Sequence, residues 1–539
     1  MASTARATTS PEPVASASGW LKLGALAVGA IFTVPFFYLL VENLTAEEQP
    51  FAFLDPGSLG PLWRSVALAV AVSIGATVLG TTAAWLVTRT NTPGRRIWRI
   101  LLPLPLVIPS FIGAFVMIAA FAPGGLFGSV LGAFNIGDLP PVRGPFAAFI
   151  VLTLFTYPYV YLPAAARFGQ LPSSLEESAR LLGARPAVSF RRIVLPQARS
   201  AILAGSLLVF LYVISDFGVV QLMRYDALTR VIYSTRLFDR ATSIALSLQL
   251  GVLALVVVAV ERVLTKGPKQ QRGARVHRPL LISLGRWRAP ATGFLCCLVG
   301  LALFIPVAVL TFWAVRGITG GSTSGVLVSD VGSILRPLFN TTMVSVAAAG
   351  AAMLLVLPVV YMTVRHRSRL ADVSNAVVVS GFALPGLAIA LSLVYLTVSA
   401  APLSFIYQTL PLLILAYVIH FGAQAMRAAQ VALSSVPTVV DDAARVLGAR
   451  RGRRLIRIEL PIMTPGLASG AGLVLLSTMK ELPATLLLAP AGFQTLAMKI
   501  WQATESAFFS DAAIMALVLI ALSGVLTWAL VIRGTEFPS

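Results

Sequence analysis

Charge is scarce in this chain of 539 residues: only 12% of them are Asp, Glu, Lys or Arg, against roughly 25% in a soluble globular domain. An ordinary water-soluble fold is thereby excluded. There are two cysteines, Cys296 and Cys297, and because they are adjacent they support no disulfide framework and read as buried structural thiols. The three histidines, His277, His366 and His420, lie far apart, and none has a second His, Cys or carboxylate at ligand spacing, so no resident metal site is expected. A phosphate-cradling Gly-x-x-x-x-Gly-Lys-Ser/Thr loop is also missing. The nearest approach, Lys266-Gly-Pro-Lys269, lacks the glycine spacing. No catalytic constellation stands in its place.

What the chain has instead is apolar length: 57% hydrophobic residues and a mean hydropathy of +0.86. A bilayer core of about 30 Å takes about 20 apolar residues per helix. Twelve segments qualify, at about 20–41, 62–87, 100–121, 146–166, 199–222, 243–264, 291–315, 338–364, 374–398, 407–429, 464–487 and 509–532. The expected fold is an all-α integral membrane protein, since the pattern is helical rather than that of a weakly alternating barrel. The net charge of +20 follows the positive-inside rule. Arg89, Arg95, Arg96 and Arg99 follow span 2, Arg365, Arg367 and Arg369 follow span 8, and Lys266 to Arg288 follow span 6. These loops, and with them both termini, are expected in the cytoplasm. Glu42, Glu47, Glu48 and Asp55 mark the loop after span 1 as external. The arginine-rich segment from Arg224 to Arg240 runs against the rule and reads as a partly helical external surface. Residues 1–18 read as a disordered tail, and the apolar run after them as a retained span rather than a cleaved signal.

The chain is internally duplicated. Glu177-Ser-Ala-Arg-Leu-Leu-Gly183 returns as Asp442-Ala-Ala-Arg-Val-Leu-Gly448, and each copy is followed by Ile-x-Leu-Pro, at Ile193 to Pro196 and at Ile458 to Pro461. An offset of 265 also aligns Pro172 with Pro437 and Gly205 with Gly470, while upstream an offset of 276 aligns Arg89 with Arg365 and Pro109 with Pro385. The segment from Pro123 to Pro145 can hold the difference. Six spans return the chain to its starting side, so the halves are parallel repeats. The expected division is a first half at 19–264 with its loop at 172–196, a basic linker at 265–290, a second half at 291–533 with its loop at 437–461, and a tail at 534–539.

Each loop reads as a short helical hairpin. Ser174 and Glu177 form a capping-box pattern, as Thr438 and Asp441 do in the second copy. Gly183 and Gly448 supply helix stops. Second basic helices, through Arg191 and Arg192 and through Arg453, Arg454 and Arg457, are expected to end near Pro196 and Pro461. Small Ala179 and Ala444 would admit a partner backbone. One copy alone would fit an amphipathic hairpin on lipid headgroups, or a DNA-binding helix-turn-helix if apolar spans did not flank it; nucleic acid is not an expected partner.

The spacing Glu-x-Ala-x-x-x-Gly, nine residues, then Ile-x-Leu-Pro resembles the EAA loop of ABC importer permeases. The resemblance implies a type I importer fold and a coupling role for Glu177, Ala179, Gly183, Leu195 and Pro196, and for Asp442, Ala444, Gly448, Leu460 and Pro461. Ser178, where the family has alanine, and Asp442, where it has glutamate, depart from the pattern. It further implies two cytoplasmic ATPase subunits carrying ATP and Mg, an extracytoplasmic binding protein, and no cofactor on this chain. Leu101 to Ser110, Met479 to Leu488 and Thr495 to Trp501 are similar to ferric iron importer permeases, and the likeness runs from about Leu62 to the end. Ferric iron is the expected cargo, with thiamine or another small solute as the alternative. Membrane lipid is a further expected partner; a twelve-span transporter driven by an ion gradient, which needs no ATPase and no paired coupling loops, is the rival from another class.

Asp216 and Glu481 fall in register, twenty residues beyond Pro196 and Pro461, or about 30 Å along a helix. Acidic groups at such depth face a cavity or a partner. They are candidates for the translocation path, with Tyr212 and Thr478 as polar lining. The other reading is structural: Glu481 paired with Lys480, and Asp216 paired with Arg224 or capping a helix break at Gly218.

Overall fold

The computed structural model describes residues 18–45, 56–128, 142–183, 185–264, 281–319, 332–366, 368–381 and 384–527. Most of the basic linker, the N-terminal tail, the C-terminal tail and residues 129–141 lie outside the described residues. Eleven helices are long and apolar enough to cross a bilayer. The pair Arg369–Gly381 and Gly386–Ser399, bent by 102°, makes a twelfth span when taken together. The fold is all-α, as expected.

In the first half, α1 (Gly19–Thr45) and α2 (Pro56–Arg89) are followed by the short α3 (Arg95–Leu101), α4 (Ser110–Phe121) and α5 (Pro145–Gln170). Next come α6 (Ser173–Leu181), α7 (Pro186–Ser189), α8 (Leu195–Ser215), α9 (Gly218–Leu222), α10 (Leu228–Thr235) and α11 (Arg240–Leu264). The second half opens with α12 (Arg288–Val299) and α13 (Ile305–Ile318), then α14 (Gly332–Tyr361), α15 (Arg369–Gly381), α16 (Gly386–Ser399) and α17 (Leu410–Ser434). It closes with α18 (Thr438–Val446), α19 (Arg451–Arg454), α20 (Leu460–Met479), α21 (Pro483–Leu488), α22 (Leu496–Glu505) and α23 (Phe509–Thr527).

Four expected spans are broken, those at 100–121, 199–222, 374–398 and 464–487, and in the first and third of them proline is the cause. Pro103, Pro105 and Pro109 crowd the segment expected as span 3, so it divides into α3, a 3₁₀ turn at Leu104–Val107 and α4. Proline removes a backbone donor and pushes the residue before it out of the helical region, and Ile108 is extended at φ −85°, ψ 119°. Pro385 does the same between α15 and α16. Pro109 and Pro385 stand at the N-caps of α4 and α16 with nearly identical backbones, ψ 143° and 141°.

The basic helices after the coupling loops behave in the opposite way. They do not end before Pro196 and Pro461. The chain runs on through π turns at Phe190–Val194 and Leu455–Glu459 into α8 and α20. Wider i→i+5 bonding, such as Leu195 N–H donating to the Phe190 carbonyl, carries the helix up to a proline that would interrupt an i→i+4 ladder. Cys296 and Cys297 are exposed on α12, contrary to expectation, because a lipid-facing helix surface accepts apolar side chains as readily as a core does.

The opening helices of each half reach across to the other. Ala25, Val28 and Phe32 of α1 are buried in a core cluster built from α14 to α17 of the second half. Leu295, Val309, Leu310 and Trp313 of α12 and α13 join a cluster that holds α2, α4 and α5 of the first half together with α22 and α23 of the second. Trp313 Nε1 donates to the Ala119 carbonyl of α4 at 3.0 Å. Among the described residues the one β pairing is a parallel bridge between Thr90 and Ile282, which ties the entry into the second half to the turn after α2.

Candidate functional site

The two hairpins lie at the end of the molecule where α2 and the linker meet. α6 starts at Ser173 and α18 at Thr438, so Ser174 and Thr438 are helical residues rather than the expected caps. Gly183 and Gly448 end the helices with φ of 81° and 76°, the left-handed region that favours glycine. Gly448 N–H donates to the Arg445 carbonyl at 3.0 Å and Ala449 N–H to that of Ala444 at 3.0 Å. Glu177 is exposed, Ala179 half-buried and Ala444 buried; Pro196, Leu460 and Pro461 are exposed beside half-buried Leu195. The side chain of Asp442 lies outside the described residues. Each hairpin presents an apolar pair just before its glycine: Leu181 and Leu182 are 90% and 89% exposed, Val446 and Leu447 87% and 86%. Apolar pairs this bare at the tip of a polar helix mark a surface that a partner covers.

The acid that anchors the first hairpin is not Glu177 but its neighbour. Glu176 Oε1 lies 2.8 Å from Arg89 Nη2 at the end of α2, with both side chains almost wholly buried. In the sequence Arg89 counted as a positive-inside residue and as the counterpart of Arg365 in the duplication, and no local periodicity links positions 89 and 176. The backbone of the same turn holds the linker, with Ile282 N–H donating to the Arg89 carbonyl at 2.9 Å and Leu284 N–H to Asn91 Oδ1 at 3.0 Å. In the second half Arg365 stands where Arg89 does, and its Nη2 donates to the Val436 carbonyl at 3.2 Å, just ahead of α18.

Asp216 and Glu481 sit at corresponding helix breaks. Asp216 Oδ1 accepts from Val219 N–H at 2.8 Å, and Glu481 Oε1 from Ala484 N–H at 3.2 Å, so each carboxylate caps the short helix that follows, α9 or α21. Their carbonyls accept from Thr229 Oγ1 at 2.7 Å and Thr485 Oγ1 at 2.6 Å. The capping alternative at Gly218 is therefore the arrangement found. Asp216 takes its side-chain partner from α4, where Ser110 Oγ donates to Oδ2 at 2.5 Å, rather than from Arg224. Lys480 turns away from Glu481 and donates from Nζ to the Leu106 carbonyl of the first half's 3₁₀ turn at 2.8 Å.

Tyr212 packs against Tyr159 with ring centroids 5.6 Å apart and the rings tilted by 40°. Thr478 is buried and donates to the Val474 carbonyl of its own helix at 2.9 Å. Among the described residues no three His, Cys, Asp or Glu side chains are grouped to hold a metal ion.

At the opposite end from the hairpins, three of the four anomalous arginines are matched locally. Arg230 pairs with Asp226, Arg236 lies 3.6 Å over the Tyr233 ring, and Arg240 donates to Glu42 Oε1 at 2.7 Å and to Ser399 Oγ at 2.9 Å. Two of these charges are met by carboxylates and a third by an aromatic ring, so the segment tolerates the side that the positive-inside count disfavours.

Repeated spans, paired hairpins on one end and broken helices between them define an inner-membrane transport component. The chain belongs to the family described as binding-protein-dependent transport system inner membrane component, whose profile matches it twice, at residues 76–268 and 360–532. Family membership sets the gradient-driven rival aside.

Among particular proteins, it is 29% identical over 517 residues to the Fe(3+)-transport system permease protein FbpB 2 of Haemophilus influenzae, covering 94% of this chain and 96% of that one. The sulfate transport system permease protein CysW of Escherichia coli is 30% identical over 205 residues, 37% of this chain and 69% of its own. The molybdenum transport system permease protein ModB of Mycobacterium tuberculosis is 30% identical over 245 residues, 44% of this chain and 91% of its own.

Proposed function

We propose that this chain is the membrane subunit of an ATP-driven importer of ferric iron. The observation that carries the cargo is the relative matched from end to end across both halves, which is named for Fe(3+) transport. The relatives named for sulfate and molybdenum correspond to one half or less of this chain. In this reading the tips Leu181-Leu182 and Val446-Leu447 each seat in one copy of a cytoplasmic ATPase. Two copies bind one chain, ATP and Mg stay on them, and this subunit catalyses no chemistry.

Glu177, Ala179 and Gly183, with Asp442, Ala444 and Gly448, shape those contacts. Leu195, Pro196, Leu460 and Pro461 lead from them into the membrane. The termini and the linker face the cytoplasm. A binding protein delivers cargo to the opposite face, where the broken helices around Asp216 and Glu481, with Tyr212 and Thr478 nearby, flank the path.

The test is uptake of radiolabelled ferric iron into proteoliposomes holding this chain, its ATPase and its binding protein, with sulfate, molybdate and thiamine as competitors. ATP-dependent uptake that excess competitor leaves unchanged is expected. Robust ATP hydrolysis without iron entry would remove iron as the cargo and leave the importer reading standing.

A further inference from the structure

The two helix breaks are built from matched parts of different size. In the first half the acid is the shorter Asp216, and the residue opening the partner half-helix α4 is Ser110, whose hydroxyl donates to it at 2.5 Å. In the second half the acid is the longer Glu481, and the residue opening α16 is Gly386. Glu481 Oε1 occupies the space that a β-carbon at 386 would fill. Pro109-Ser110 and Pro385-Gly386 are in register under one offset, and Asp216 and Glu481 under the other. One methylene gained on the acid is thus offset by one side chain lost on the half-helix.

Each acid also ends a continuous helix that begins in a coupling hairpin, Phe190–Ser215 in one half and Gly452–Met479 in the other. Both acids are buried, at 8% and 7% exposure. Burying a carboxylate is costly without a defined partner; Asp216 takes a hydrogen bond from the half-helix α4, while Glu481 packs against the first residue of α16 and takes its hydrogen bond from Ala484 N–H of α21.

We infer that Asp216–Ser110 and Glu481–Gly386 are two joints through which movement of the coupling hairpins reaches the half-helices α4 and α16, with Ser110 and Gly386 as positioning residues. The inference rests on the importer reading and specifies which atoms link its two ends. The hairpin moves, the π-turned shaft carries the movement as a rod, and the carboxylate drags the N-terminus of the half-helix. α4 and α16 each follow a proline, Pro109 and Pro385, and are buried along most of their length, so movement at their N-termini is passed to the spans packed on them.

The experiment is a swap of socket and plug. Gly386→Ser drives a side chain into Glu481, and Glu481→Asp withdraws the carboxylate. The double variant Gly386→Ser with Glu481→Asp rebuilds the pairing of the first half. Each single variant is expected to lower binding-protein-stimulated iron uptake by about tenfold, the effect of one unsatisfied buried charged group. The double variant should recover most of it. ATPase co-purification should stay unchanged throughout, because the hairpins are untouched. The thermal unfolding midpoint of the purified full-length chain is read in parallel and should follow the same cycle, down in each single and back in the double.

Uptake in the double variant no better than in the worse single would overturn the joint, as would single variants that transport normally. A wild-type complex with no stimulated hydrolysis would instead defeat the importer reading, and the unfolding midpoints alone would then decide whether the two parts match.

Discussion

Arg89 and Glu176 carry the strongest residue-level consequence. A buried ion pair contributes little net stability when intact, but removing one partner leaves an uncompensated charge and costs about 3–5 kcal/mol. Arg89→Met is therefore expected to lower the thermal midpoint sharply and to weaken ATPase co-purification, since α6 loses its anchor on α2. Adding Glu176→Leu should recover much of the stability by removing the orphaned acid. A double variant as unstable as the single would contradict this role. Arg365→Met should be milder, because Arg365 meets a backbone carbonyl rather than a carboxylate, and the carbonyl regains water when the cation leaves.

Among the elements, the π turns decide how the hairpins are aimed. Each inserts one residue's worth of extra turn between a hairpin and its shaft. Deleting Ile193 should restore α-helical bonding and turn the first hairpin by about 100° relative to α8, with a shift of about 1.5 Å. We expect the chain to reach the membrane in normal amount while ATP-driven uptake collapses. Unchanged uptake would mean that the aim of the hairpin is immaterial.

These turns also mark where reading the sequence alone stops. Apolar runs located nearly every span, because twenty apolar residues have few other fates in a bilayer. The duplication located both hairpins and their glycine stops, whose positive φ the spacing anticipates. Prolines were harder, because their effect depends on the bonds around them. Pro109 and Pro385 break helices, whereas Pro196 and Pro461 are absorbed by π turns. The capping of α9 by Asp216 was legible as one alternative, whereas Glu481 read as paired with Lys480 and its capping of α21 was not foreseen; the choice of Ser110 over Arg224 needs tertiary contact. Glu176 was hidden by its neighbour, because a helix turned by one residue exchanges the buried acid for the exposed one.

At the scale of the whole molecule, opening helices that reach across make the two halves one mechanical unit. α1 is buried against the second half, and α13 packs on α4 of the first half as well as on α23 of its own, so neither repeat closes its core alone, and the parallel arrangement sets both hairpins on one face. Gly183 and Gly448 are the weak points of that face, because alanine at positive φ costs about 1–2 kcal/mol, while open space around both positions rules out a packing clash. The most direct test of paired coupling is binding-protein-stimulated ATP hydrolysis by the reconstituted complex, measured for the wild type, for Gly183→Ala, for Gly448→Ala and for both together. The account predicts a partial loss in each single variant and a loss of about tenfold or more in the double, with the yield of intact complex preserved. Stimulation that survives both substitutions, or that falls only as far as assembly falls, would contradict it.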